Sequence, residues 1–233
     1  TSHSPVMAIA ATLLFGSLAR ADHAGGSDTD LLMINLEDET RHVSAGHLSL
    51  FIYPWRQLEN DARTGDLFVC HLVHEAKPLV DPDGYLLQLQ QAFSFRASYQ
   101  DDIQRAADLG WYLVHFGDDL NSALLAKRVL WCVRTILIAR SAERRAPVFA
   151  PNRLAEETGS EAAREILLRR HDQRDGTSIR RLLRSFLKAE APPPDDSVDQ
   201  SRARFFERFV ATSNKVALQT LRQEEERRGD YTG

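Results

Sequence analysis

An α+β fold, a small mixed sheet followed by an all-helical bundle, is what the 233-residue sequence predicts. Three observations carry that prediction. Short apolar runs closed by Gly, Pro and Asp occupy the first 84 residues, in the manner of strands. Beyond Gly84 the apolar residues recur at spacings of three and four, in the manner of helices. The charge also divides along the chain. Residues 1–119 hold 7 Lys and Arg against 17 Asp and Glu, whereas residues 120–233 hold 22 against 16. That asymmetry predicts two modules with different partners. The expected domains are 1–84 and 85–233, with a stiff Pro-rich linker at 191–197 around Pro192-Pro193-Pro194.

Taken in order, Thr12–Phe15 reads as a short strand ending at Gly16-Ser17. Asp30–Asn35 is a second strand, and His47–Tyr53 a third that stops at Pro54. Trp55–Thr64 is expected as a helix, because Gly65 takes the position where a helix chain reverses. Asp66–Ala76 follows as another helix. Lys77–Val80 reads as an edge strand because Pro78 cannot donate to a ladder, and Asp81-Pro82-Asp83-Gly84 closes it with a turn. The expected helices beyond are 85–96, 101–115, 121–145, 153–157, 161–170, 178–189 and 201–227.

Composition narrows the class. With 43% apolar and 27% charged residues the chain is that of an ordinary globular protein. Cys70 and Cys132 are too few and too far apart for a disulfide framework, which points to a reducing cytoplasm. Val6–Leu18 followed by Ala19-Arg20-Ala21 has some look of a secretory leader, but no basic residue precedes it and an Asp follows. No apolar stretch approaches the ~20 residues a bilayer span needs, so no membrane partner is expected.

The chemistry concentrates in Leu14-Phe15-Gly16-Ser17-Leu18-Ala19-Arg20 and Ser27-Asp28-Thr29-Asp30. Side chains alternate across a strand, so Asp28 and Asp30, two apart, project from one face. Two neighbouring carboxylates repel unless a cation lies between them, and an oxygen-rich pair suits Mg²⁺. Gly16 lets backbone approach a phosphate closely, and the Ser17 hydroxyl with nearby N–H groups can donate to phosphate oxygens. A helix starting at Ser17 would add a favourable dipole. Together the two halves describe a metal–triphosphate site.

A strand ending in Gly-Ser, about ten intervening residues, then Asp-x-Asp entering a second strand, resembles the signature of the polymerase-beta-like nucleotidyltransferase superfamily. The spelling Gly-Ser-x-Ala-Arg with Ser-Asp-x-Asp-Leu-Leu is similar to the minimal nucleotidyltransferases, themselves like the catalytic half of kanamycin nucleotidyltransferase. The likeness covers residues 10–85, so it implies a nucleotidyltransferase domain at 1–84. It implies that Asp28 and Asp30 are the catalytic metal ligands, and that Gly16, Ser17, Arg20 and Ser27 hold the nucleotide phosphates. It further implies Mg²⁺ as cofactor and an NTP, first of all ATP, as substrate. In the family a third carboxylate opens the next core strand; here Ser49 occupies that place.

Two functions therefore stand side by side. One is an Mg²⁺-dependent enzyme moving NMP from an NTP to a hydroxyl of a protein, an RNA or a small molecule. The other is a nucleotide-binding or regulatory module, an antitoxin- or defence-type partner of another protein, in which Ser49 marks reduced catalysis. His71, His74 and Glu75 invite a zinc reading, but their apolar surroundings and the lack of a further ligand favour packing. Arg180, Arg181 and Arg184, with Arg169, Arg170 and Arg174 nearby, form the densest basic region, a means for the helical half to bind RNA phosphates.

Overall fold

The first apolar run forms strand β1 (Ile9–Phe15), which passes at Gly16 into the five-residue helix α1 (Gly16–Arg20). Strands β2 (Thr29–Asn35), β3 (Arg41–Ala45), β4 (Leu48–Pro54) and β5 (Lys77–Val80) complete a five-stranded sheet of order β3-β4-β2-β1-β5. Only β2 and β4 run parallel; β1 pairs antiparallel with β2 and β5, and β3 pairs antiparallel with β4. The sheet is therefore mixed. The helices α2 (Trp55–Arg63), α3 (Leu67–Glu75) and α4 (Tyr85–Ala92) pack with it. The computed structural model describes residues 9–21, 29–170, 172, 175–192 and 201–230.

One face of the sheet is the core of this unit. Ala11, Leu13 and Phe15 of β1 and Leu32 and Ile34 of β2 meet Leu58 and Ala62 of α2, Val69 and Leu72 of α3, and Leu86 and Leu89 of α4. The alternation along β1 explains the choice of face, since residues 11, 13 and 15 are buried while 10, 12 and 14 are half-buried. Asp66 caps α3, accepting from the Phe68 and Val69 N–H groups at 2.8 and 3.2 Å. Gly65, at φ +68, admits a close approach: a side chain there would collide with the Ser94 carbonyl and the Arg96 N–H.

Compact units divide between Ala97 and Ser98. The expected break at residue 84 thus falls too early, because α4 buries Leu86 and Leu89 in the sheet's core. The second unit is all helix: α5 (Gln100–Phe116), a 3-10 turn, α6 (Ser122–Glu143), α7 (Pro151–Glu157), α8 (Glu161–Leu168), α9 (Gly176–Glu190), α10 (Arg202–Ala211) and α11 (Lys215–Asp230). Tyr99, Tyr112, Phe186, Phe205 and Phe209 are fully buried in it. Of the Pro-rich linker at 191–197, residues 193–197 lie outside the described residues. Among the described residues no helix is long and apolar enough to cross a membrane.

Two elements differ from expectation. β3 was not foreseen, because Arg41-His42-Val43-Ser44-Ala45 is an edge strand exposed at every position and carries no apolar alternation. The expected helix 201–227 is two helices, broken at Thr212-Ser213-Asn214 with Ser213 at φ +50. Asn214 restarts the chain, its side-chain oxygen accepting from the Ala217 N–H at 3.2 Å.

Candidate nucleotide site at the end of the sheet

Strand register builds a row with three polar members at one end of the core face. Phe15 is opposite Asp30, Asp30 opposite Ser49, and Ser49 opposite Ser44. The next row inward is Leu13, Leu32, Phe51 and His42. Apolar packing thus runs to the end of β1 at Phe15, while on β2, β4 and β3 a carboxylate and two hydroxyls take over. The His42 ring stacks on Phe51 at 4.3 Å between centroids, and its Nε2 lies 3.5 Å from the Ser44 hydroxyl.

Gly16 is where the row meets the turn out of β1. Its φ of +76 lies in the left-handed region. A Cβ there would sit 2.5 Å from the Asp30 Oδ2 atom and 3.4 Å from its Cγ. The Asp30 carboxylate therefore rests against the bare Gly16 backbone, and any side chain at residue 16 would displace it. Two requirements select glycine at once: the backbone conformation and the approaching carboxylate.

Ser17 follows on α1, half-buried, while Ala19 packs inward. Five residues form little more than one turn, so the macrodipole that a longer helix would aim at an anion is small here. Arg20 ends the helix with its Nη1 donating to Glu75 Oε2 of α3 at 2.6 Å, and His71 Nε2 donates to the same oxygen at 2.8 Å. All three side chains are between 13% and 16% exposed. Burial alone would raise the Glu75 carboxyl's pKa, but the hydrogen bonds and charges of His71 and Arg20 outweigh it and hold it below the usual glutamate range. The His71 ring also meets Phe15 edge-on at 5.7 Å, which fixes this cluster beside the Asp30 row.

Of the expected site residues, Gly16, Ser17 and Arg20 form α1 directly after β1, and Asp30 of β2 lies against Gly16. Ser27 and Asp28 lie outside the described residues. Ser49 stands beside Asp30 on the neighbouring parallel strand. Sequence reasoning missed Ser44, which requires β3 to be recognised, and the Glu75 anchor of Arg20, which is 55 residues away in sequence. Glu37, Asp38 and Glu39 follow the opposite end of β2, roughly 20 Å from Asp30 at ~3.3 Å per residue. They cannot supply a third ligand. His74 donates to the Cys70 carbonyl at 2.7 Å within its own helix. Burial pushes the Cys70 thiol up to about 12.

The donor chemistry can be tested for Mg²⁺. Among the described residues no three His, Cys, Asp or Glu side chains cluster as a metal cage. Mg²⁺ at phosphate sites commonly uses one or two carboxylates and fills its octahedron with water and phosphate oxygens. Among the described residues, Asp30 with the adjacent Ser49 hydroxyl fits that mode.

No model of a known protein family matches the chain, and no curated protein matches it. Among solved structures, it is similar to a nucleotidyltransferase-like protein from Exiguobacterium sibiricum 255-15, at 14% identity and a TM-score of 0.30, over 94% of this chain and 76% of that one.

Proposed function

We propose that the N-terminal unit binds a nucleoside triphosphate, with ATP as the first to test, and transfers its NMP moiety to a hydroxyl acceptor in an Mg²⁺-dependent reaction. The observation that carries this reading is the Asp30 carboxylate seated on the bare backbone of Gly16, at the turn between β1 and α1. Such a turn lets phosphate oxygens approach N–H groups that a side chain would cover. In this reading Ser17 donates its hydroxyl to the triphosphate, and Arg20, steadied by Glu75, supplies positive charge beside it. Ser27 would add a further hydroxyl. Asp28 and Asp30 would hold Mg²⁺, which when bound neutralises phosphate charge and lowers the pKa of an attacking hydroxyl.

Ser49 favours a second reading. It is in register with Asp30 on the next strand, where a third carboxylate would complete a two-ion site. A hydroxyl there is neutral, so the unit would bind Mg²⁺–NTP without turnover and act as a regulatory module for a partner protein. Pyrophosphate release, with mass spectrometry of products, separates the two. Release with any NTP and Mg²⁺ that vanishes in Asp30→Ala supports the enzyme. Calorimetric Mg²⁺–ATP binding that Asp30→Ala abolishes, without release by the wild type or by Ser49→Asp, supports the module. Equal nucleotide affinity in wild type and Asp30→Ala would sink both readings.

A further inference from the structure

Several surface arginines of this chain are neutralised by a carboxylate one helical turn away. Arg63 pairs with Glu59, Arg140 with Glu143, Arg153 with Glu157, Arg169 with Glu165 and Arg204 with Glu207. Helix α9 breaks the pattern. Ile179, Leu183, Phe186 and Leu187 are buried on one side, and Thr177, Arg181, Arg184 and Lys188 are exposed on the other. Three or four residues from each of these cations stand only Thr, Ser, Leu, Ala, Pro or another basic residue. Among the described residues, Arg181, Arg184 and Lys188 have no carboxylate within ion-pair distance. The i, i+3, i+7 spacing lines the three charges along one face.

A groove of about 190 Å³ runs beside this stripe, lined by Val114 of α5 and by Thr177, Arg180, Arg181 and Arg184. Arg180 is fixed as its wall, donating to the Val114 and Gly176 carbonyls at 3.3 Å each and pairing with Asp118. His115, the residue after Val114, is exposed. Its pKa is lowered first by partial burial and then by the charge of Arg184, so its imidazole lies within the field of the stripe. Its ring lies 6.4, 6.1 and 6.2 Å from those of Trp111, Phe116 and Phe205, an aromatic cluster beside the Arg184 charge.

The chemistry of a partner follows from what is present and what is missing. A protein partner needs apolar or aromatic anchors at the centre of its interface, and none of the exposed large apolar side chains belongs to α5 or α9. A membrane surface entered by an amphipathic helix would need them as well. A phosphodiester strand needs only clustered cations along its backbone, and a ring on which an unpaired base can stack. We propose that the α9 stripe of Arg181, Arg184 and Lys188, with the Arg180 groove and the neighbouring His115 ring, binds single-stranded nucleic acid through its backbone. The α9 stripe shares no residue with the nucleotide site proposed for the N-terminal unit, and its test stands or falls alone.

Fluorescence anisotropy of labelled single strands of about twenty nucleotides, oligouridylate and oligothymidylate in parallel, would be measured on the full chain between about 50 and 200 mM salt. The two strands distinguish an RNA from a DNA ligand. The expected result is salt-dependent binding that Arg181→Ala with Arg184→Ala weakens at least about tenfold at low salt. Each lost phosphate contact should remove ~0.7 from the slope of log affinity against log salt, so the pair should remove about 1.4. Lys188→Glu should weaken binding independently, while Arg153→Ala, a neutralised surface arginine, should not. A thermal melt equal to wild type establishes that the variants fold. Wild-type-like binding by the double variant, tighter binding to a duplex of equal length, or displacement by polyglutamate as effective as by the strand would each overturn the proposal.

Discussion

Gly16 concentrates the physical case for the candidate site in one residue. Its left-handed backbone would strain any L side chain, and the Asp30 carboxylate occupies the space its Cβ would need. These costs are separable. Gly16→Ala is expected to destabilise the protein by about 1–3 kcal/mol, from φ strain together with displacement of Asp30. In the Asp30→Ala background the collision is gone and only strain remains, so the same substitution should cost measurably less. Urea denaturation of the four proteins gives the coupling directly. Additive costs would mean that Asp30 does not press on Gly16. Both residues were legible in the sequence because Gly-Ser and Asp-x-Asp are local spellings. Ser44 was not, because its place beside Ser49 depends on a strand without an apolar signature.

Between elements, the contact that matters most to the site is the clamp from α1 to α3. Arg20 and His71 both donate to Glu75 Oε2 in a half-buried setting, and nothing in either local sequence announces the pairing. The helices themselves were readable: α3 has its Asp66 cap, and α9 has an amphipathic period. The gap between α10 and α11 was not, since no Gly or Pro marks it. The clamp makes a pH prediction. Glu75 titrates below its unfolded value, so its contribution is fully present above the unfolded glutamate pKa of about 4.3 and is lost as pH falls through the lower folded value. Glu75→Gln keeps the shape and removes the charge. It should lower stability at pH 7 by about 1–3 kcal/mol, and the gap from wild type should close as the solution is acidified below about pH 4. Thermal melts across pH test the sign. A gap that widens in acid would show that Glu75 is not held ionised by its partners.

At the scale of the whole chain, the charge asymmetry made two modules legible, but the turn Asp81-Pro82-Asp83-Gly84 misplaced their boundary. A sequence break marks a change of direction, not a change of core. Residues 1–97 carry 6 Lys and Arg against 12 Asp and Glu, and residues 98–233 carry 23 against 21, so the acidic excess lies in the sheet unit wherever the cut is made. What decides the cut is burial. Leu86 and Leu89 of α4 lie in the sheet's core. Gln90 donates to the Val73 carbonyl at 3.1 Å, the Ser94 N–H to the Ala62 carbonyl at 3.0 Å, and Arg96 Nε to the Thr64 carbonyl at 2.8 Å. The segment after residue 84 is thus stitched to α2 and α3 along its length. Two buried leucines at about 1.5–3 kcal/mol each are a large fraction of the ~5–15 kcal/mol that separates a folded domain from its unfolded chain. Residues 1–97 expressed alone should therefore melt cooperatively, as should residues 98–233, each being long enough to bury a core. Residues 1–84 should be unfolded or melt far lower, with the surface exposed by the lost α4 binding a hydrophobic dye. Circular dichroism melts of the three fragments provide the comparison. If residues 1–84 match residues 1–97 in stability, α4 belongs to the helical unit after all and the boundary returns to the turn.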